Sequence, residues 1–293
     1  ENVHQIQLAW SWQMRPGLSE PTPLVYKGIM YLPNPDGFVQ AVDAVTGDRL
    51  WEFRKVFENT PDDSFRNRMR SLAIYGTNIY VTTADAHLIA LDAQSGELVW
   101  DHIVADHKLG YRYTSGAIVV KGKIVAGITG CERYKNEVCF ISAHDPDTGR
   151  ELWRTSTIAE PGTSGGDTWG DLPLMFRAGG DAWIPGSYNK STDLIYWSTA
   201  QAKPWGRVSR GTDGDALYTN SVLAIEPETG EINWYYQFVP GESHDLDEVF
   251  ESLLIKNQGR LSVFKIGKLG ILWEIDAATG EFVDAHDLGY QNL

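Results

Sequence analysis

The sequence contains no run of eighteen apolar residues, so no segment of it is built to cross a membrane as a helix. Its first residues, ENVHQIQLAW, lack the charged, apolar and cleavage regions of a signal peptide; an exported protein would have lost its leader before residue 1. Positive charge is short: 25 lysines and arginines face 39 aspartates and glutamates, a formal net charge of -14. That balance argues against nucleic acid, whose phosphates are held by clustered Lys and Arg, and favours a small or neutral substrate. Helical periodicity is almost absent. Cysteine is scarce, with Cys131 and Cys139 in CERYKNEVC and no matching Cys/His set for zinc. The two are either a local disulfide of the kind exported proteins carry or a pair of buried thiols. No CxxCH occurs, so no haem is built into this stretch.

Aromatic residues, by contrast, are plentiful, with 11 Trp and 13 Tyr, and much of the Trp belongs to a repeat. AVDAVTGDRLW (41–51), ALDAQSGELVW (90–100), AHDPDTGRELW (143–153) and AIEPETGEINW (224–234) are near copies. A fifth, EIDAATGEFVD (274–284), ends in Asp instead of Trp. The turn glycines Gly47, Gly96, Gly149, Gly230 and Gly280 lie roughly 50 residues apart, with one gap of roughly 80, and such periods mark repeat architectures.

Each copy opens with alternating apolar residues that put one side of a strand into a core. The acid then accepts backbone N–H groups across a turn, Gly supplies the positive φ that closes a hairpin, and Trp packs between neighbouring units. Glu226 replaces the Asp in the fourth copy, a weaker fit. Short strands with one hairpin repeated five times predict an all-β chain of four-stranded blades set radially, a β-propeller, in preference to a sandwich. The residues form a single domain, 1–293, holding about four to five blades. Both ends read as cut, so the chain is expected to be incomplete.

The hairpin AxDxxTGxxxW resembles the tryptophan docking motif of the pyrroloquinoline quinone (PQQ) dehydrogenases, the eight-bladed quinoprotein alcohol dehydrogenases. The resemblance covers nearly the whole chain and implies the N-terminal half or so of such a propeller. SEPTPLVYKGIMYL (19–32) is similar to the family's first cofactor segment and gives Glu20 a hydrogen bond to the quinone. FRNRMRSLAIY (65–75) gives Arg70 a PQQ carboxylate, a task suited to its bidentate fork. The adjacent cysteine pair that covers one face of PQQ in the family is missing here. YTSGAIVVKGKIVAGITGCERY (113–134) places Thr114, Thr129 and Gly130 at the cofactor and Glu132 on a metal ion.

RAGGDAWIPGSYNKSTDLIYWSTAQAKPW (177–205) puts Trp183 flat under the quinone, with Asp181 and Ala182 where polar side chains, often Thr, are usual. STAQ replaces the common GTGN and sets Gln201 at an Asn metal-ligand position. GESHDLDEVFE (241–251) is similar to DYDGVNE, making Asp245 the catalytic base and Asp247 the second aspartate of the lanthanide-using branch. KIGKLGILWEIDAATG (265–280) gives Lys268 the cation at the quinone oxygens, a catalytic and cofactor-binding part.

The resemblance therefore implies oxidation of an alcohol to an aldehyde or ketone. Hydride passes to PQQ, Asp245 takes the proton, and Ca²⁺ or a lanthanide ion is held by Glu132, Gln201, Asp245 and Asp247. It implies a periplasmic protein that hands electrons to an external acceptor such as a cytochrome c. The competing readings are a non-catalytic PQQ-like propeller scaffold and an inert fragment of the enzyme. A scaffold has no reason to hold Glu132, Trp183, Asp245 and Lys268 together.

Overall fold

The structure is a computed structural model that describes residues 2–57 and 68–289. Residues 65–67 of the Arg70 segment and the final 290–293 lie outside the described residues. Among the described residues, five four-stranded antiparallel sheets follow one another, each with its strands in sequence order. Blade 1 comprises Leu24–Tyr26, Ile29–Asn34, Phe38–Asp43 and Arg49–Arg54. Blade 2 comprises Ala73–Tyr75, Asn78–Thr82, His87–Asp92 and Leu98–Ile103. Blade 3 runs through Ile118–Val120, Lys123–Gly127, Phe140–His144 and Glu151–Ser156. Blade 4 is Ser187–Asn189, Leu194–Ser198, Ser221–Ile225 and Ile232–Gln237. Blade 5 is Leu253–Asn257, Arg260–Ile266, Ile271–Asp276 and Phe282–Asp287. The α-helix among the described residues is a single turn, Arg207–Arg210.

The alternation along the third strands has a different meaning from the one expected. Leu88, Ile89, Ala90 and Leu91 are all fully buried, so both faces of the sheet are covered. Leu88 and Ala90 join a core with Ile124, Ala126 and Phe140 of blade 3, whereas Ile89 and Leu91 join one with Val39, Ala41 and Trp51 of blade 1. Blade 3 divides in the same way, its Ile141 and Ala143 facing Ile195 and Leu223 of blade 4. Sheets stacked face to face on both sides, each shared by two cores, are the propeller arrangement.

The repeat performs the docking. Asp43 Oδ1 accepts the N–H groups of Val45 and Thr46 at 2.8 and 2.9 Å, and Asp92, Asp145 and Asp276 do the same in their own turns. Glu226 instead takes the Asn233 amide at 2.9 Å, and its turn is closed by the Gly230 N–H on the Glu226 carbonyl, also at 2.9 Å. The turn glycines have φ between 74° and 79°, which Gly alone adopts without strain. All but Gly47 also carry the indole of the preceding blade: a Cβ on Gly96 would lie 2.5 Å from Trp51, and one on Gly230 would lie 2.7 Å from Trp153.

The indole N–H then donates to the carbonyl just after the turn acid, from Trp51 to Ala93, Trp100 to Pro146, Trp153 to Pro227 and Trp234 to Ala277. Trp10 repeats this contact from the N-terminal segment, with its ring on Gly47 and its N–H on the Ala44 carbonyl. Three blades add a tyrosine that the repeat did not announce. Tyr31, Tyr80 and Tyr196 sit 5.8–5.9 Å from Trp51, Trp100 and Trp234 and donate to the same carbonyls as their indoles.

His144, on the third strand of blade 3, is fully buried between Ser142 Oγ and the Gly149 carbonyl, each 2.9 Å away. Burial pushes its pKa from the ordinary 6.5 down to about 4. Between those values only the unfolded chain takes the proton, so stability present above pH 6.5 is lost as pH falls towards 4. The expected loss is about 3 kcal/mol, and thermal melts from pH 7 to 4.5 should show it. The slope should flatten in His144→Gln; an equally steep acid loss in that variant would put the sensitivity elsewhere.

Candidate active site

The roughly 80-residue gap in the repeat arises from two long insertions, 157–186 before blade 4 and 199–220 between its second and third strands. They meet in a two-stranded ribbon, Ala178–Gly179 against Ala202–Lys203, in which Ala178 pairs with Lys203 and Gly179 with Ala202. The ribbon is tied to blade 3 by the Gly179 N–H on the Cys131 carbonyl, at 2.9 Å, and the Ala182 N–H on the Ile128 carbonyl, at 3.0 Å. Cys131 and Cys139 are joined in a disulfide, with Cα atoms 5.4 Å apart, which staples the loop bearing Glu132 to the base of that strand pair. Asp181 lies close to the two sulfurs, but a bonded pair offers no thiolate to a metal.

A cavity of about 240 Å³ opens beside the ribbon, lined by Arg68, Arg70, Arg112, Thr114, Thr129 and Trp183 together with Asp181, Gln201, Lys203 and Asp247. These residues come from loops on blades 2 to 5, far apart in sequence. Arg70 donates to the Thr114 carbonyl at 2.8 Å and to the Trp183 carbonyl at 3.4 Å, with its guanidinium 4.8 Å from the Trp183 ring centroid. Burial draws its pKa down, and the Glu20 carboxylate, 2.6 Å away, opposes that shift. Trp183 is fixed on another side by Phe250, edge to face at 5.5 Å. Thr129 donates to the Arg112 carbonyl at 3.1 Å. Gly130 has φ 85°, and a Cβ there would strike the Gly110 carbonyl; its N–H donates to Asp181 Oδ1 at 2.7 Å.

Asp245, Asp247 and Lys268 form one cluster. Lys268 Nζ lies 2.7 Å from Asp247 Oδ2, 3.4 Å from Asp245 Oδ2 and 2.9 Å from the Asp245 carbonyl. Burial works against its charge, but the two carboxylates outweigh it and its pKa is raised. Burial pushes the Asp247 carboxyl up, against the pull of Lys268. Asp247 Oδ1 and Gln201 Oε1 are buried without a hydrogen-bond partner in the cavity wall.

Of the residues picked out by sequence, Arg70, Thr114, Thr129, Trp183, Gln201 and Asp247 thus share one cavity. Glu20, Gly130 and Lys268 are bound directly to residues of its lining, and Asp245 reaches it one step further out, through Lys268. Glu132 is largely exposed and reaches the cavity through Lys203, whose Nζ is 2.8 Å from Glu132 Oε1 and 3.0 Å from Asp181 Oδ2. Sequence reading missed Arg68, Arg112 and Lys203. Arg68, two residues before Arg70 in the same extended segment, was open to detection by its spacing. Lys203 was not, because only the ribbon brings it to Asp181.

A planar, multiply anionic ligand fits the basic side of this set, where three guanidinium groups, two threonines and an indole line one cavity. Of the four residues assigned to a metal ion, Gln201 Oε1 and Asp247 Oδ1 offer unpartnered oxygens, but the acids among the four are already engaged by ammonium groups. Glu132 already carries the Lys203 ammonium and Asp247 that of Lys268, and an ion seated among them would meet like charge.

The family model for the glucose/ethanol/alcohol dehydrogenase β-propeller domain matches residues 1–285. A quinohemoprotein alcohol dehydrogenase of Pseudomonas putida, ADH IIB, is 34% identical over 98% of the chain and 44% of its own length. Another P. putida quinoprotein alcohol dehydrogenase, PedH, is 33% identical over 96% of the chain and 50% of its own length. Among solved structures, a europium-containing methanol dehydrogenase superposes with a TM-score of 0.84 at 26% identity, covering 99% of the chain and 54% of that structure. The chain spans about half the length of the curated relatives it matches. With its blades, docking tryptophans and cavity, it belongs to the PQQ-dependent, or quinoprotein, alcohol dehydrogenase family and forms part of that family's propeller.

Proposed function

We propose that the protein oxidises an alcohol to an aldehyde or ketone with PQQ in the cavity beside Trp183. The observation that carries this reading is the convergence of Arg68, Arg70, Arg112, Thr114, Thr129 and Trp183, from separate loops, on one cavity whose lining residue Asp247 is paired with Lys268, itself beside Asp245. Bound PQQ supplies a two-electron acceptor for the hydride that leaves the carbinol carbon. Trp183, held by Arg70 and Phe250, gives the ring system a flat floor. Arg70, already part-desolvated, and its arginine neighbours meet carboxylates. Thr114, Thr129 and the Gly130 turn shape the polar edge.

Asp245 takes the hydroxyl proton of the alcohol on a side-chain oxygen and later releases it to solvent. Lys268, held by the Asp245 main-chain carbonyl and by Asp247, lies 3.4 Å from that carboxylate and keeps a positive charge where negative charge develops on the reacting oxygens. The electrons pass to an external carrier such as a cytochrome c. The Cys131–Cys139 disulfide supports an oxidising, periplasmic setting.

Titration of the full-length protein with PQQ should quench its indole fluorescence saturably, and the loaded protein should reduce an artificial dye when given a primary or secondary alcohol. Binding without alcohol-dependent reduction would leave a PQQ-binding scaffold. Absence of both would reject the reading.

A further inference from the structure

Lys203 is seated as a built-in part of the cavity. Its ribbon partner is Ala178, and its side chain is 20% exposed. The ammonium bridges Glu132 Oε1 at 2.8 Å and Asp181 Oδ2 at 3.0 Å. Asp181, only 7% exposed, is aimed by two further bonds, from the N–H groups of Gly130 at 2.7 Å and Cys131 at 3.3 Å to its other oxygen. Asp181 also stands where the family resemblance puts a polar residue, often Thr, and Gln201, two positions before Lys203, stands where it commonly puts Asn. Two of the departures from the family pattern thus lie beside one lysine, in the same cavity wall as Trp183 and Asp247.

We infer that Lys203 is the resident cation of this site. Its ammonium, held on Glu132 and Asp181, supplies the positive charge that the family resemblance assigned to a metal ion, so that PQQ binds without Ca²⁺ or a lanthanide. The inference rests on the PQQ reading above. An ammonium carries three donors, of which Glu132 accepts one, while Asp181 Oδ2 lies within ion-pair distance at 3.0 Å. A remaining donor is available to a carbonyl or carboxylate oxygen of a ligand, a charge-assisted bond of the strong kind. A divalent or trivalent ion at the same carboxylates would have to displace that ammonium or lie against it.

The test is PQQ binding to the full-length protein, followed by indole quenching in EDTA, in Ca²⁺ and in La³⁺, with sensitised Tb³⁺ emission as a direct readout of metal. For the wild type, Kd for PQQ should agree within about threefold across the three buffers, with no saturable Tb³⁺ signal. Lys203→Ala should weaken PQQ binding in EDTA by about tenfold or more, recover it with La³⁺, and gain the Tb³⁺ signal; Lys203→Arg should stay near wild type. A wild-type Kd that rises about tenfold in EDTA overturns the inference while leaving PQQ as the cofactor, and it needs no variant to fold. Equal binding by Lys203→Ala and wild type in EDTA also overturns it. No binding in any buffer overturns the cofactor reading and this inference together.

Discussion

Asp245→Asn is expected to lower kcat for alcohol-dependent dye reduction by about 10²- to 10⁴-fold while PQQ binding holds. Asn keeps the shape and the hydrogen-bonding carbonyl of the side chain but cannot take a proton. It also suits the backbone: Asp245 has φ 60°, a left-handed conformation that Asn tolerates better than most residues. The contacts that place Lys268 survive, since two of them run to the Asp245 main-chain carbonyl and to Asp247. A loss confined to kcat, with unchanged indole quenching by PQQ, is therefore the signature of a missing base. Should Asp245→Asn turn over within about threefold of wild type while Asp247→Asn does not, the base is Asp247 and the assignment is reversed.

Trp153→Ala should cost about 3–5 kcal/mol, the range for removing a large buried aromatic side chain. Its ring lies on Gly230 and belongs to the core shared by blades 3 and 4, and its N–H is bonded to the Pro227 carbonyl at 3.0 Å. Blade 3 has Val125 at the register position that Tyr31, Tyr80 and Tyr196 occupy in their blades, so no tyrosine there bonds to the Pro227 carbonyl beside the indole. Trp153→Phe separates the two contributions: it keeps most of the packing and should lose only about 0.5–1.5 kcal/mol with the hydrogen bond. Denaturant midpoints of the two variants would measure this, and equal losses would place the energy in the bond instead of the ring.

The hairpins were legible because turn chemistry is local. Asp, Gly and Trp at fixed spacing encode a bonded carboxylate, a positive φ and a docking ring, and all three are realised in the first three copies. The tyrosines were not legible, since each lies on the second strand, ahead of the motif, and in blade 4 the insertion 199–220 changes its distance from the Trp. The strand pattern is only half legible: alternation alone implies inside against outside, whereas in the fold it sorts residues between two cores.

In the candidate site, Arg70, Trp183, Asp245 and Asp247 came from family motifs. The Lys203–Asp181 pair joins two insertions that have no counterpart in the repeat, so no period could reveal it. Charge compensation is a property of the folded ribbon, and the same letters in an open loop would be solvated.

Every docking contact points the same way along the chain, from Trp10, Trp51, Trp100, Trp153 and Trp234 to a glycine that is translated later. On the ribosome each receiving turn therefore emerges when its lid has already been made, and no finished unit waits on an uncovered seat for a downstream ring. Assembly can advance one unit at a time in the direction of synthesis, with apolar surface confined to the growing edge.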